Sequence, residues 1–218
     1  MGNSLKSLNT RLYLDINHFA VHTAFAHTVM AFYAHLAGLG LLAILLLAAW
    51  WRARSAEYAP RAVASVLWAA GGTVIAWGIA HYGLKPLFGE VRPYNTLHGV
   101  EVLVARTNGY SFPSGHATIA GAVIMGLWLT KDKPLAWIAT VASGLLGFDR
   151  IYVGAHYPFD VIAGMIFGCL VLLALFLPLV KLLTWFDNFL IKHTPFSPMV
   201  LAKTNWRPYP DYFDKQAS

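Results

Sequence analysis

The chain has 218 residues, of which 57% are hydrophobic and only 12% are charged. A soluble domain of this length carries about twice that charged fraction, so the composition points to a membrane. The formal net charge is +6, but the basic residues sit between and after apolar runs rather than interleaved with aromatics, which argues against nucleic acid and for orientation in a bilayer.

In chain order, residues 5–20 come first. Leu5, Leu8, Leu12, Ile16 and Phe19 share one helical stripe, which predicts an amphipathic helix lying on the membrane surface. Lys6 and Arg11 are followed by Asp15, Asn17 and His18 rather than an apolar core, so this is not a secretory signal. Lys6 also breaks the myristoylation pattern that Met1-Gly2 begins.

A helix needs roughly 20 apolar residues to cross a bilayer. Five segments meet that need: 24–51, 62–88, a short one from His116 to just before Lys131, 134–152 and 158–185. The expected architecture is therefore all-α, a polytopic bundle over 24–185 of about five spans. The whole chain, 1–218, reads as one domain. The polar tail over 186–218 holds Trp206, Tyr209, Tyr212 and Phe213, aromatics suited to the interface. Gly144, Gly147, Gly164 and Gly168 would allow close helix contact, and the Gly164/Gly168 pair would also suit a homodimer face. Cys169 is the lone cysteine and reads as a small buried residue.

Charge sets the expected orientation. Arg52, Arg54 and Arg61 lie between spans one and two, Lys131 and Lys133 between three and four, and Lys181, Lys192, Lys203 and Arg207 near or after the end of span five. The positive-inside rule makes that side cytoplasmic. The loop 89–113 and the turn near His156 then face outward, in the periplasm or outside the cell.

Three polar clusters fall at the outward ends. The first is Lys85 with Arg92-Pro93, seven residues apart and so nearly on one face if helical, although Pro93 keeps Arg92 from easily continuing a helix. The second runs from Ser111 through Pro113-Ser114-Gly115-His116 to Thr118, where Ser114 can cap a helix start whose free amides form an anion site. The third runs from Asp149-Arg150 through His156 to Asp160, placing a carboxylate beside an imidazole. Alone, each has an ordinary reading: basic residues snorkelling at a membrane edge, a capped helix, a structural His–Asp turn. Together they supply cations for phosphate oxygens, a nucleophile and an acid for the leaving oxygen.

These three clusters resemble the signature of the type 2 phosphatidic acid phosphatases. It reads Lys, six residues, Arg-Pro; Pro-Ser-Gly-His; and Ser-Arg, five residues, His, three residues, Asp. Asp149 stands where that family usually has serine; it is expected to turn away from the phosphate or pair with a nearby base. The resemblance implies His156 as the nucleophile forming a phosphohistidine, Asp160 as its orienting group and His116 as the acid for the leaving oxygen. It implies Lys85, Arg92, Arg150, Ser114 and the Gly115 amide as phosphate ligands, with no cofactor and no metal. The implied substrate is a lipid phosphate or diphosphate in the bilayer, undecaprenyl diphosphate foremost; phosphatidylglycerophosphate, phosphatidate and other prenyl phosphates are alternatives.

Two other classes compete. A lipid-phosphate binder or transporter would use the cations but not His156, Asp160 and His116 together. A lipid-to-lipid phosphotransferase would carry the same motifs. His18, His22, His27 and His35 read as interfacial histidines rather than a metal site, and no role is assigned to His81, Tyr82 or His98.

Overall fold

A computed structural model describes residues 3–202, all of them helical or in loops, with no strand among the described residues. The tail aromatics from Trp206 onward lie outside the described residues. The helices are α1 (Asn3–His22), α2 (His27–Phe32), α3 (Gly38–Ala53), α4 (Ala59–Gly78), α5 (Lys85–Phe88), α6 (Pro93–Thr96), α7 (Gly115–Leu129), α8 (Lys133–Tyr152), α9 (Pro158–Ala174), α10 (Phe176–His193) and α11 (Ser197–Val200). Two π-turns interrupt the first two spans: Tyr33–Ala37 joins α2 to α3, and Ile79–Leu84 joins α4 to α5. The runs Ala24–Ala53 and Ala59–Thr96 are long and apolar enough to cross a membrane.

The fifth apolar run is not one straight span. It divides into α9 and α10, bent by 55°. Pro178 explains the break: it has no N–H to offer the Ala174 carbonyl, and its ring crowds that turn. The indole of Trp68 on α4 also takes the Leu172 carbonyl, at 3.0 Å, just before the bend. The helical chain continues to His193 and again over Ser197–Val200, so the first part of the region read as a tail is folded.

α7 and α9 form the centre of the bundle, and small residues are why they can. A side chain at Gly121 would strike the Met165 backbone, and one at Gly168 would strike the Thr118 carbonyl. One at Gly164 would meet the Ser114 carbonyl at 2.6 Å. Gly164 and Gly168 are thus consumed by contact within the chain. Because Gly164 abuts Ser114, this seam also fixes the start of α7 against the start of α9. At the opposite end, Arg52 pairs with Asp132 at 2.7 Å and the Ala202 amide reaches the Arg54 carbonyl. The basic loops expected on one side do gather at one end, away from the three clusters.

α1 packs differently from a simple amphipathic helix. Its Leu5, Leu8, Leu12 and Phe19 are exposed, while Asn9, Tyr13, Asn17 and Ala20 are buried. The inward side therefore sets two asparagines among the apolar contacts of Tyr13, Ile16 and Ala20. Asn17 brackets Glu101, accepting from its N–H at 2.9 Å and donating to its carbonyl at 2.8 Å. The Asn9 side chain accepts from the Phe159 amide at the start of α9.

Candidate active site

Lys85, Ser111, Ser114, Arg150, His156 and Asp160 are buried at one end of α5, α7, α8 and α9. A lysine, an arginine and two acid–base groups in so dry a place are costly unless paired or functional. Each has a structural reason for its position.

Span two ends at Gly89, whose φ of 60° terminates α5. Arg92 follows in extended backbone, φ −68° and ψ 151°, as Pro93 requires of its predecessor. Lys85 and Arg92 therefore do not share the helical face that their spacing alone would give. They converge instead through the 109–111 loop. Lys85 Nζ donates to the carbonyls of Tyr110 (2.6 Å) and Ser111 (3.3 Å). Arg92 Nε donates to the Gly109 carbonyl at 3.0 Å, and its Nη1 to that of Ala155 at 3.3 Å.

Ser114 caps α7 as expected, accepting from the Ala117 amide at 3.5 Å, and its own amide donates to the Asp160 carbonyl. The first free amides of α7 belong to Gly115 and His116, which leaves an anion site at the helix start. Arg150 closes α8; its carbonyl accepts from the Ala155 and His156 amides and so folds the turn that carries His156. Gly154 has φ 80°, and a side chain there would run into the Glu101 carbonyl.

The His156 ring is held on one side only. Its Nδ1 lies 3.4 Å from Asp160 Oδ2 and 3.3 Å from Ser111 Oγ. The same Asp160 oxygen accepts from Ser111 Oγ in a short hydrogen bond, and from the Tyr157 amide at 2.9 Å. With Nδ1 carrying the proton toward Asp160, Nε2 presents its lone pair outward. His156 sits in the turn between α8 and α9. Burial first, then the charges of Arg150, Arg92 and Lys85, hold its ring well below the usual imidazole value of 6.5. A neutral ring is the nucleophilic form. His116 is close enough to His156, Arg150 and Arg92 to feel their charge.

All eight residues expected in the site stand at this end of the bundle. Asp149 does not pair with a base, one of the two placements expected for it: it is fully buried, and both carboxylate oxygens lack a hydrogen-bond partner. Three contributions were not expected. Ser111 opens the second cluster without an assigned role, and here it bridges His156 and Asp160. Trp77 lies beside Gly115, its Nε1 3.4 Å from where a Cβ would stand, and stacks on His81 at 5.1 Å. The first span touches the site through Ala34, whose carbonyl accepts from Arg150 Nη1 at 3.2 Å. Among the described residues, no three His, Cys, Asp or Glu side chains gather as a metal-binding group.

Comparison with known proteins agrees with this geometry. The chain is 29% identical over 164 residues to undecaprenyl-diphosphatase BcrC of Bacillus subtilis, covering 75% of this chain and 80% of that one. It is 36% identical over 84 residues to an undecaprenyl-diphosphatase of Sulfolobus acidocaldarius, covering 38% and 41%. It is 49% identical over 101 residues to a lipid A 1-phosphatase of Rhizobium etli, covering 44% and 43%. The chain thus spans less than half the length of these last two relatives. Among solved structures, LpxE of Aquifex aeolicus superposes with a TM-score of 0.53 at 25% identity, covering 77% of this chain and 93% of that one. A transmembrane PAP2-type phosphatidylglycerolphosphate phosphatase of Bacillus subtilis superposes with a TM-score of 0.56 at 23% identity, covering 88% and 90%, and shares the fold. Residues 62–182, more than half of the chain and all three clusters, match the PAP2 superfamily: this membrane protein belongs to that superfamily.

Proposed function

We propose that the chain is a metal-independent lipid phosphatase working through a phosphohistidine, with undecaprenyl diphosphate as its leading substrate. The observation that carries this reading is the His156 ring, tethered through Nδ1 to Asp160 and Ser111 with Nε2 free. Nε2 attacks the terminal phosphorus, the bond from phosphorus to the lipid-side oxygen breaks, and His116 gives that oxygen its proton. Water then attacks the phosphohistidine, His116 takes the water's proton, and phosphate leaves. Asp160 stabilises the His156 ring while it is positively charged. Arg150, Arg92, Lys85, Ser114 and the Gly115 amide hold the phosphate oxygens. Arg150 Nε is buried with no hydrogen-bond partner among the described residues, a donor left for the ligand.

The diphosphate substrate rests on the relatives named as undecaprenyl-diphosphatases, the Bacillus one across most of both chains. The basic loops at the far end support a cytoplasmic side there and an outward-facing site in the cell membrane. The full chain, 1–218, acts as one catalytic unit.

Phosphate release should be measured for purified protein in detergent containing EDTA. The substrates are undecaprenyl diphosphate, phosphatidylglycerophosphate, phosphatidate and lipid A. The expectation is release from undecaprenyl diphosphate with EDTA present and a loss of about 10⁴-fold or more in His156→Ala. Full activity in that variant sinks the nucleophile, and loss with EDTA that a divalent ion restores sinks metal independence. Cysteines placed in loop 94–112 of a Cys169→Ser chain should label from the outer side; cytoplasmic labelling overturns the orientation.

A further inference from the structure

We propose that the π-turn Tyr33–Ala37 of the first span is a positioning element of the active site, which sets the Arg150 guanidinium by presenting it with the Ala34 carbonyl. The proposal rests on the phosphatase reading of the site.

In a regular helix, the Ala34 carbonyl would be fully engaged by the amide four residues on. A π-turn uses amides five residues on, which widens the turn and tilts carbonyls out of the ladder. Here the Gly38 amide bonds to Tyr33 O, five residues back. The displaced Ala34 carbonyl then accepts from Arg150 Nη1 at 3.2 Å, in a fully buried contact. That bond occupies one branch of the guanidinium. Arg150 Nε has no protein partner and is free for a ligand oxygen. A planar fork fixed at one nitrogen is fixed at all of them, which is how one carbonyl can orient the other donors.

The turn is itself built in. Gly38 closes it, and a Cβ there would stand 2.9 Å from Tyr33 O and 2.7 Å from Leu146 Cδ1. Tyr33 anchors the same turn to α8, its hydroxyl donating to the Ala142 carbonyl at 2.8 Å. His35, also on the turn, lies within electrostatic reach of His116. The first span is therefore joined to the helix that carries Arg150 at two points, and the upper point ends on the catalytic guanidinium.

Two variants change the turn. Deleting Leu36 removes the extra residue and restores an α-helix while leaving the helix register on either side intact. Gly38→Ala is gentler, since one methyl must push Tyr33 O away. Each is combined with Arg150→Lys, and orthovanadate affinity is measured by titration with the protein in detergent, alongside hydrolysis of undecaprenyl diphosphate. A single lost hydrogen bond to a charged group corresponds to about tenfold or more in affinity. Each turn variant should therefore weaken vanadate binding about tenfold when Arg150 is present, and change it less than about threefold in the Arg150→Lys background. Equal losses in both backgrounds, or wild-type vanadate affinity in folded Gly38→Ala, overturn the proposal. Gly38→Ala decides the matter where the deletion does not fold. Failure of the wild-type chain to bind vanadate or release phosphate counts against the phosphatase reading instead.

Discussion

The α7–α9 seam and the loop rim of the site are built on opposite principles. The seam is crossed by few polar bonds, the Ser114 amide to the Asp160 carbonyl and Cys169 Sγ to the Gly121 carbonyl among them; it depends on Gly121, Gly164 and Gly168 having no side chain to collide with the facing backbone. The rim is the reverse. Lys85, Arg92 and Ser111 reach carbonyls and a carboxylate from separate pieces of chain. Shape fixes where α7 and α9 begin, and directed hydrogen bonds then fix the chemical groups carried there. The seam should therefore fail as a fold, and the rim as a catalyst.

The largest effect tests the seam. Gly168→Val drives a side chain into the Thr118 carbonyl, and should cost more than about 4 kcal/mol, because overpacking here meets backbone rather than a flexible side chain. Thermal melts in detergent should show little folded protein; a wild-type melting temperature would remove the basis for the comparison. Ser111→Ala tests the rim. It should lower kcat about tenfold, near the worth of one buried hydrogen bond, while lowering the melting temperature by only about 2–4 °C. A fall in folded yield without a change in kcat would show that the rim is structural after all.

A smaller effect depends on pH. The folded His156 resists protonation, whereas the unfolded ring takes a proton near 6.5. Its folded value is depressed, so its contribution to stability is complete above 6.5 and declines as pH falls below it. Melting temperatures between pH 7.5 and 5 should fall more steeply for the wild type than for His156→Asn; parallel slopes would place the acid sensitivity elsewhere. The smallest effect concerns Asp149. Its two unpartnered oxygens burden the fold, so Asp149→Ser should raise stability by about 1 kcal/mol. A lower melting temperature would mean that the carboxyl has a partner in the membrane.

The residues proposed for the chemistry were legible because phosphoryl transfer demands particular types at fixed spacings, and the structure brings Lys85, Arg92, Ser114, His116, Arg150, His156 and Asp160 to one end of the bundle. The apolar runs gave the bundle, since bilayer thickness sets their length. What escaped was whatever depends on distant backbone meeting in space. Ser111 matters because its loop folds over Asp160, which no local pattern encodes. Ala34 acts through a carbonyl, and any residue supplies one. The Lys85–Arg92 spacing suggested a shared helical face, but Gly89 ends the helix between them. Pro178 was a readable sign of the bend after α9, hidden within an unbroken apolar composition.

The inward asparagines of α1 have a practical consequence for anyone extracting this protein. Asn9 holds the first amide turn of α9 and Asn17 holds Glu101 beside Gly154, while the leucines on the other side of α1 are left to the surrounding amphiphile. A detergent that lifts α1 off would loosen the turn carrying His156 without unfolding the bundle. Specific activity after solubilisation then reports how well α1 is seated, and reconstitution is part of the assay rather than a refinement of it.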